Sequence, residues 1–271
     1  MVKVRRRNWS STARRYADAD AIFVSIPKSG RTWLRVFLYS YFCAVEKREF
    51  TLKAEELADS KVPKLVFTHD LWEHLAASRL KDRWRGKHLI PSLQSRKKLI
   101  VLLARDPRDV IVSLFFQLTK RGYRCRYQGS LSEMMRHEKY GIAHIIDVMN
   151  TWMAEWGERR NFKLIRYEDC QKNAAGAFRE VLIFLGFGDI DPWAFNQSLQ
   201  FSSFENMKAM ETTGQLDTGI LSPGDPGDPE SFKVRRGIVG GYRDYFNALD
   251  IDYLNNAMAR LDARYGYGKE S

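Results

Sequence analysis

Cysteine is scarce in this chain: three in 271 residues. Cys43, Cys125 and Cys170 lie far apart, and neither a CxxC pair nor a Cys/His cluster accompanies them. A disulfide framework and a structural zinc site are therefore not expected, and a reducing compartment is the simpler setting. Long apolar runs are missing too. The stretches at 34–45 and 99–104 are interrupted or short, below the roughly 20 apolar residues that a membrane span needs. The basic start, Met1–Ser10, has no secretion-signal core behind it, so a cytoplasmic location is expected. Acidic residues are in deficit, 33 against 44 Lys and Arg, leaving +11. That surplus favours anionic partners such as nucleotides, acidic glycans, nucleic acid or an anionic membrane, without choosing among them. No internal repeat stands out. A hydrophobic content of 44% and an aromatic content of 13% suit a folded globule. We read a basic lead-in over 1–20 and one domain over 21–271.

Four short apolar runs, 21–26, 64–68, 98–104 and 162–166, read as buried strands. Helical spacing lies between and after them, at 31–45, 107–120, 141–157, 172–185 and 243–263. Asp106 followed by Pro107 is an N-cap and first-turn pair. Strands alternating with helices predict a three-layer α/β/α fold around a central parallel sheet. Such folds bind ligands beyond the carboxyl ends of their strands. The segment 211–233, rich in Gly, Pro and Asp, predicts no packed element; it reads either as a mobile lid or as a surface loop.

Two strand ends lead into cationic turns. After 21–26 come Pro27, Lys28, Ser29, Gly30, Arg31, Thr32 and Trp33, opening directly into a helix. Backbone N–H groups at a helix N-terminus favour a phosphate, a glycine lets the backbone approach it, and the hydroxyls and cations here add donors and charge. The Walker pattern is absent, because the lysine precedes the glycine and no second glycine stands in register. Magnesium is not required to hold an anion among so many fixed cations, and no metal site is expected. After 98–104 comes Arg105, with Ser113 two turns into the next helix. An arginine fork and a hydroxyl suit a phosphate monoester.

At these two segments the chain resembles the sulfotransferase family, whose fold is similar to that of the P-loop NTPases. Lys28 to Trp33 looks like its 5′-phosphosulfate loop, commonly PKSGTTW, with Arg31 replacing a threonine. Arg105 to Ser113 resembles its 3′-phosphate motif. Thr68-His69 matches its catalytic threonine–histidine pair, and Tyr167-Glu168-Asp169 its tyrosine–glutamate–aspartate element. Residues 202–208, beginning at Ser202, resemble the adenine-contacting segment. Arg235-Arg236-Gly237, with Gly240-Gly241-Tyr242-Arg243, resembles the late R-K-G…G-D-W-K element. The matches run in the family's order over 22–246. Phe67, Asp70-Leu71-Trp72 and Gly241-Tyr242 depart from the pattern, and the dimerisation motif of the animal cytosolic branch is not recognisable in 246–256.

The resemblance implies transfer of sulfonate from 3′-phosphoadenosine 5′-phosphosulfate (PAPS) to an acceptor hydroxyl or amine, leaving 3′,5′-diphosphoadenosine (PAP). It implies His69 as general base, with an ordinary imidazole pKa of about 6.5. Lys28 would stabilise charge on the leaving oxygen. Ser29, Gly30, Arg31, Thr32 and Trp33 would hold the 5′-phosphate, with Trp33 also able to stack on adenine. Arg105, Ser113, Arg235, Arg236 and Gly237 would hold the 3′-phosphate, and Tyr167 and Ser202 would contact adenine. The acceptor is open among small molecules, lipids and glycans, and so is the oligomeric state; nucleic acid is not expected. Two other readings compete. One is a small-molecule kinase with the same strand–loop–helix cradle. The other is a basic glycan- or nucleic-acid-binding module, suggested by Arg121, Tyr123, Arg124, Arg126 and Tyr127.

Overall fold

The structure, a computed structural model, describes residues 11–57, 62–70, 72, 95–121, 127–216 and 220–268. The four apolar runs form β1 (Ala21–Ser25), β2 (Leu65–Thr68), β3 (Leu99–Ala104) and β4 (Phe162–Arg166). All three pairings are parallel, in the order β2-β1-β3-β4. Side chains of a strand alternate between faces, and here both faces are covered. Ile22, Val24, Ile100 and Leu102 belong to one buried cluster, whereas Ala21, Phe23, Val101, Leu103 and Ile165 belong to the other. This explains why β1 and β3 read as unbroken apolar runs.

In chain order the helices are α1 (Ser11–Asp18), α2 (Arg31–Val45), α3 (Pro107–Lys120), α4 (Leu131–Arg136), α5 (Ile142–Trp156), α6 (Tyr167–Lys172), α7 (Ala174–Phe184), α8 (Pro192–Phe201), α9 (Phe204–Thr213) and α10 (Ala248–Met258). Buried residues of α3, α4, α5 and α10 fill the first cluster, and those of α2, α7, α8 and α9 fill the second. The predicted three-layer α/β/α arrangement is therefore the one observed. No helix among the described residues is long and apolar enough to cross a membrane.

Four local expectations change. Residues 11–18 of the lead-in are helical and docked: Ala13 and Tyr16 are buried, and the Tyr16 hydroxyl lies 3.0 Å from Thr68 Oγ1. The helix expected at 172–185 breaks at Asn173, whose Oδ1 accepts from Gly176 N at 2.9 Å and so starts α7 with its own cap. The segment 211–233 is more built than its composition suggests. Its first three residues finish α9, Leu221 and Ser231 are fully buried, and Pro229–Ser231 forms a 3₁₀ turn. Residues 217–219 lie outside the described residues. The last helical pattern is shorter than expected and is preceded by a separate 3₁₀ turn, Gly241–Asp244.

Phe178 couples the second cluster to the strand-end loop. Its ring is 4.5 Å from Phe37 and 5.2 Å from Trp33, centroid to centroid. Phe178→Ala is expected to destabilise the fold by ~3–5 kcal/mol, because a large buried ring leaves a cavity that its neighbours fill only in part. Urea denaturation checks this: the midpoint falls while the slope stays constant.

Candidate active site

The strand register sets the site. Val24 pairs with Thr68, Ser25 with Leu103, and Ala104 with Arg166, so all four strands finish at one edge. The residues next in sequence, including His69, Arg105 and Tyr167, therefore emerge side by side. Beyond this edge lies a cavity of about 280 Å³. Of the residues predicted from sequence, Lys28, Gly30, Arg31, Thr32, Trp33, His69, Arg105, Ser113, Tyr167, Arg235, Arg236 and Gly237 line it.

The turn after β1 is tightly wound. Lys28 has φ 76° and Gly30 has φ 83°, both in the left-handed region. Glycine is required at 30 for a second reason, since a Cβ there would sit 2.8 Å from the Tyr167 ring. The winding brings the loop onto the start of α2, a helix of 15 residues whose first N–H groups receive no side-chain cap. Arg105 closes the other wall. Its guanidinium donates to Lys28 O at 3.3 Å and Ile238 O at 3.2 Å, lies 4.3 Å from the Tyr167 ring centroid, and pairs with Asp109 at 3.7 Å. The two cationic turns thus touch and share one cavity.

The third wall is the segment 233–241, held by two buried carboxylates that sequence reading did not single out. Asp109 accepts from Gly240 N at 2.8 Å and Tyr242 N at 3.0 Å. Glu211 accepts from Lys233 N at 2.6 Å and Val234 N at 2.7 Å. Between them these groups fix the backbone that carries Arg235, Arg236 and Gly237. Gly237 has φ 65°, and a Cβ there would press on the Phe204 ring at 2.8 Å. Arg235 is paired with Glu230 at 2.7 Å and lies 4.6 Å from the Phe116 ring centroid; Arg236 is paired with Asp244. Lys233, Gln117 and Gln171 also line the cavity and were not predicted, whereas Phe204 and Gly241, which line it too, fall within the 202–208 and 240–243 segments read from the sequence. No local pattern marks Glu211 or Lys233, because their roles follow from the way the chain returns past α9.

One assignment needs correction. Ser202 is fully buried and does not line the cavity; as the C-cap of α8 it turns its hydroxyl back to Ser198 O at 2.7 Å. Ser29 is buried, and its Oγ has no hydrogen-bond partner among the described residues. The Nε of Arg105 is likewise buried and without a partner among them. Buried polar atoms are ordinarily paired, so these atoms, with the left-handed loop and the helix N-terminus, fit an additional hydrogen-bonding anion at the strand ends.

His69 is held by its backbone-facing nitrogen. Nδ1 lies 2.7 Å from Ser25 O and donates to it, leaving Nε2 as the unprotonated nitrogen. Its pKa is not the ordinary imidazole value. Burial, then the charge of Arg31, pull it down to about 3, with Lys233 and Lys28 acting in the same direction. Lys28 is pulled well below the usual lysine range by desolvation and by Arg121, Lys233 and Arg105. Lys233 falls to about 8 for similar reasons.

A family model described as "Sulfotransferase domain" matches residues 18–266. This chain belongs to the sulfotransferase family. That decides against the kinase and the non-enzymatic binding module; of the basic–aromatic run behind the latter, residues 122–126 lie outside the described residues. Among relatives, Sulfotransferase 2A6 of Rattus norvegicus is 25% identical over 93% of this chain and 87% of its own length. Cytosolic sulfotransferase 13 of Arabidopsis thaliana is 24% identical over 86% and 73%. The fold is similar to that of mouse sulfotransferase SULT7A1 complexed with PAP, with a TM-score of 0.63, 18% identity, and coverage of 93% and 90%. It is also similar to retinol dehydratase in a complex with retinol and PAP, with a TM-score of 0.61, 20% identity, and coverage of 94% and 86%.

In this sulfotransferase Asp109 joins the Arg105 turn to the 240–242 backbone. Asp109→Ala leaves two N–H groups unpaired and Arg105 without its carboxylate. PAP affinity is expected to fall about tenfold or more, in line with the ~1–3 kcal/mol that an unsatisfied buried group costs. Calorimetry measures the affinity, and an unchanged far-ultraviolet spectrum establishes that the fold survives.

Proposed function

We propose that this enzyme moves the sulfonate of PAPS to a hydroxyl or amine of a small-molecule acceptor by in-line displacement, with His69 as base and Lys28 at the leaving oxygen. The observation that carries the role of His69 is its geometry. The Nδ1 donation to Ser25 O fixes the tautomer, so Nε2 can accept a proton in a cavity shared with Lys28, Arg31 and Arg105. The acceptor oxygen attacks sulfur as its proton passes to Nε2. The bond from sulfur to the 5′-phosphate oxygen breaks, and the electron pair stays on that oxygen, where the Lys28 ammonium and the loop N–H groups offset the new charge. PAP then leaves.

The 5′-phosphate is assigned to the N–H groups of residues 29–33, with the Ser29 and Thr32 hydroxyls, and the 3′-phosphate to Arg105, Ser113 and the 235–237 segment. Trp33 and Phe204 are the aromatic lining residues suited to the adenine ring. Tyr167 supports the site from beneath, packed between Arg105 and Gly30. The low pKa of His69 agrees with this assignment. Of the cations that add to the effect of burial, Lys28 also binds the donor, and a nucleotide anion beside it offsets positive charge in the cavity and raises the basicity of the imidazole when substrate is present.

His69→Ala is expected to cut turnover by roughly 100-fold or more while PAP affinity by calorimetry stays within a factor of a few; turnover near wild type would remove His69 from the base role. A nuclear magnetic resonance titration of His69 checks the electrostatics. Its pKa, about 3 with protein groups alone, is expected to move upward on PAP saturation. A value unmoved by PAP would show that the nucleotide anion lies elsewhere.

A further inference from the structure

Once the donor has been placed, the cavity keeps cations that the donor does not need. Arg31 stands where the family's loop commonly has a threonine. Its guanidinium lines the cavity and has no ion-pair or hydrogen-bond partner among the described residues. It lies on the His69 side: of the charges acting on that imidazole, Arg31 is the strongest. Lys233 lines the same space, its Nζ anchored at 2.8 Å to Ile220 O. Arg35, one turn further along α2, donates to Leu52 O at 2.8 Å and lies 5.5 Å from the Phe67 ring centroid.

Among the described residues, negative charge does not match this group. Asp109 lines the cavity but is engaged by Arg105 and by two backbone N–H groups. Glu211, buried beside Lys233, is likewise engaged by two backbone N–H groups and by Arg121 at 3.6 Å. Arg31 and Lys233 repel one another and crowd His69. Desolvating a cation without a counter-charge is unfavourable, so an anion on this side of the cavity would relieve three groups together. The sulfonate in transfer is assigned to Lys28 and the loop N–H groups. The Arg31 fork is suited to a planar or tetrahedral oxyanion.

We infer that the acceptor is itself anionic: a hydroxy or amino compound bearing a carboxylate or sulfate, which Arg31 grips, with Lys233 beside it, while the nucleophile faces His69. This rests on the sulfotransfer reading above and adds the acceptor class. It separates the chain from relatives named for neutral acceptors, such as 3-beta-hydroxysteroid sulfotransferase of Cavia porcellus, 25% identical over 92% of this chain. Arg31 then contributes its backbone N–H to the phosphate cradle and its side chain to the acceptor.

The test is a labelled-PAPS screen of wild type and Arg31→Thr against matched acceptors that differ by one anionic group. Suitable pairs are 4-hydroxyphenylacetate with its methyl ester, and N-acetylglucosamine 6-sulfate with N-acetylglucosamine; a neutral sterol completes the panel. Wild type is expected to favour the anionic member of each pair that it turns over. Arg31→Thr is expected to shrink that preference roughly 10–100-fold, the loss typical of one charge-assisted fork, while PAP affinity by calorimetry holds within a factor of a few. Turnover confined to neutral members, or no anionic acceptor used by a PAP-binding wild type, overturns the inference. So does a preference left intact by Arg31→Thr, or a loss of PAP affinity in that variant, which would return the side chain to the donor site. Failure of wild type to bind PAP would instead strike the donor assignment beneath it.

Discussion

The site depends on a contact between turns 77 residues apart, in which the Arg105 guanidinium donates to the Lys28 carbonyl. Parallel pairing of β1 and β3 makes it possible, because it brings both turns to one edge of the sheet. The left-handed backbone at Lys28 and Gly30 turns that carbonyl toward Arg105 and the loop onto the start of α2. Asp109 then ties the same arginine to the 240–242 backbone. One guanidinium therefore registers three separate stretches of chain, and a ligand with phosphates at two ends reads that registration directly.

Electrostatics and geometry pull in opposite directions here. Lys28, Arg31, Lys233 and Arg105 share a small cavity with Asp109, and Glu211 is buried beside Lys233; both carboxylates are already bound to backbone N–H groups. The protein accepts this repulsion because the surrounding fold is well anchored. Both faces of the sheet are packed, Phe178 reaches from the core to Trp33, and Tyr267 donates to Glu168, which in turn accepts from Asp106 N beside Arg105. Stability supplied elsewhere holds like charges together where an anionic donor will separate and neutralise them. The low pKa of His69 follows first from its burial and then from the same crowding.

Much of this was legible in the chain itself. Four apolar runs specified a parallel sheet, since strands buried on both faces carry no alternation, and the residues just past them supplied most of the cavity wall. What escaped was whatever depends on return paths of the chain. Glu211 looks like a polar helix residue until the 233–234 backbone arrives against it. Ser202 fits an adenine-contact pattern, yet as a helix C-cap its hydroxyl is taken by Ser198 O. Asn173 splits a continuous helical pattern because its side chain caps the second half. The basicity of His69 could not be read from residue type, since it is set by burial and by cations distant in sequence.

The central claim is that two cationic turns hold opposite ends of one adenosine diphosphate with its phosphates on the 3′ and 5′ positions. Calorimetry of wild type and Arg105→Ala with PAP and with adenosine 5′-phosphate, which lacks the 3′ group, tests it most directly. The account predicts that wild type prefers PAP strongly and that the variant loses this preference, its affinity for PAP falling by much more than its affinity for adenosine 5′-phosphate. Equal loss of both ligands, or a preference for PAP that survives the substitution, would contradict it.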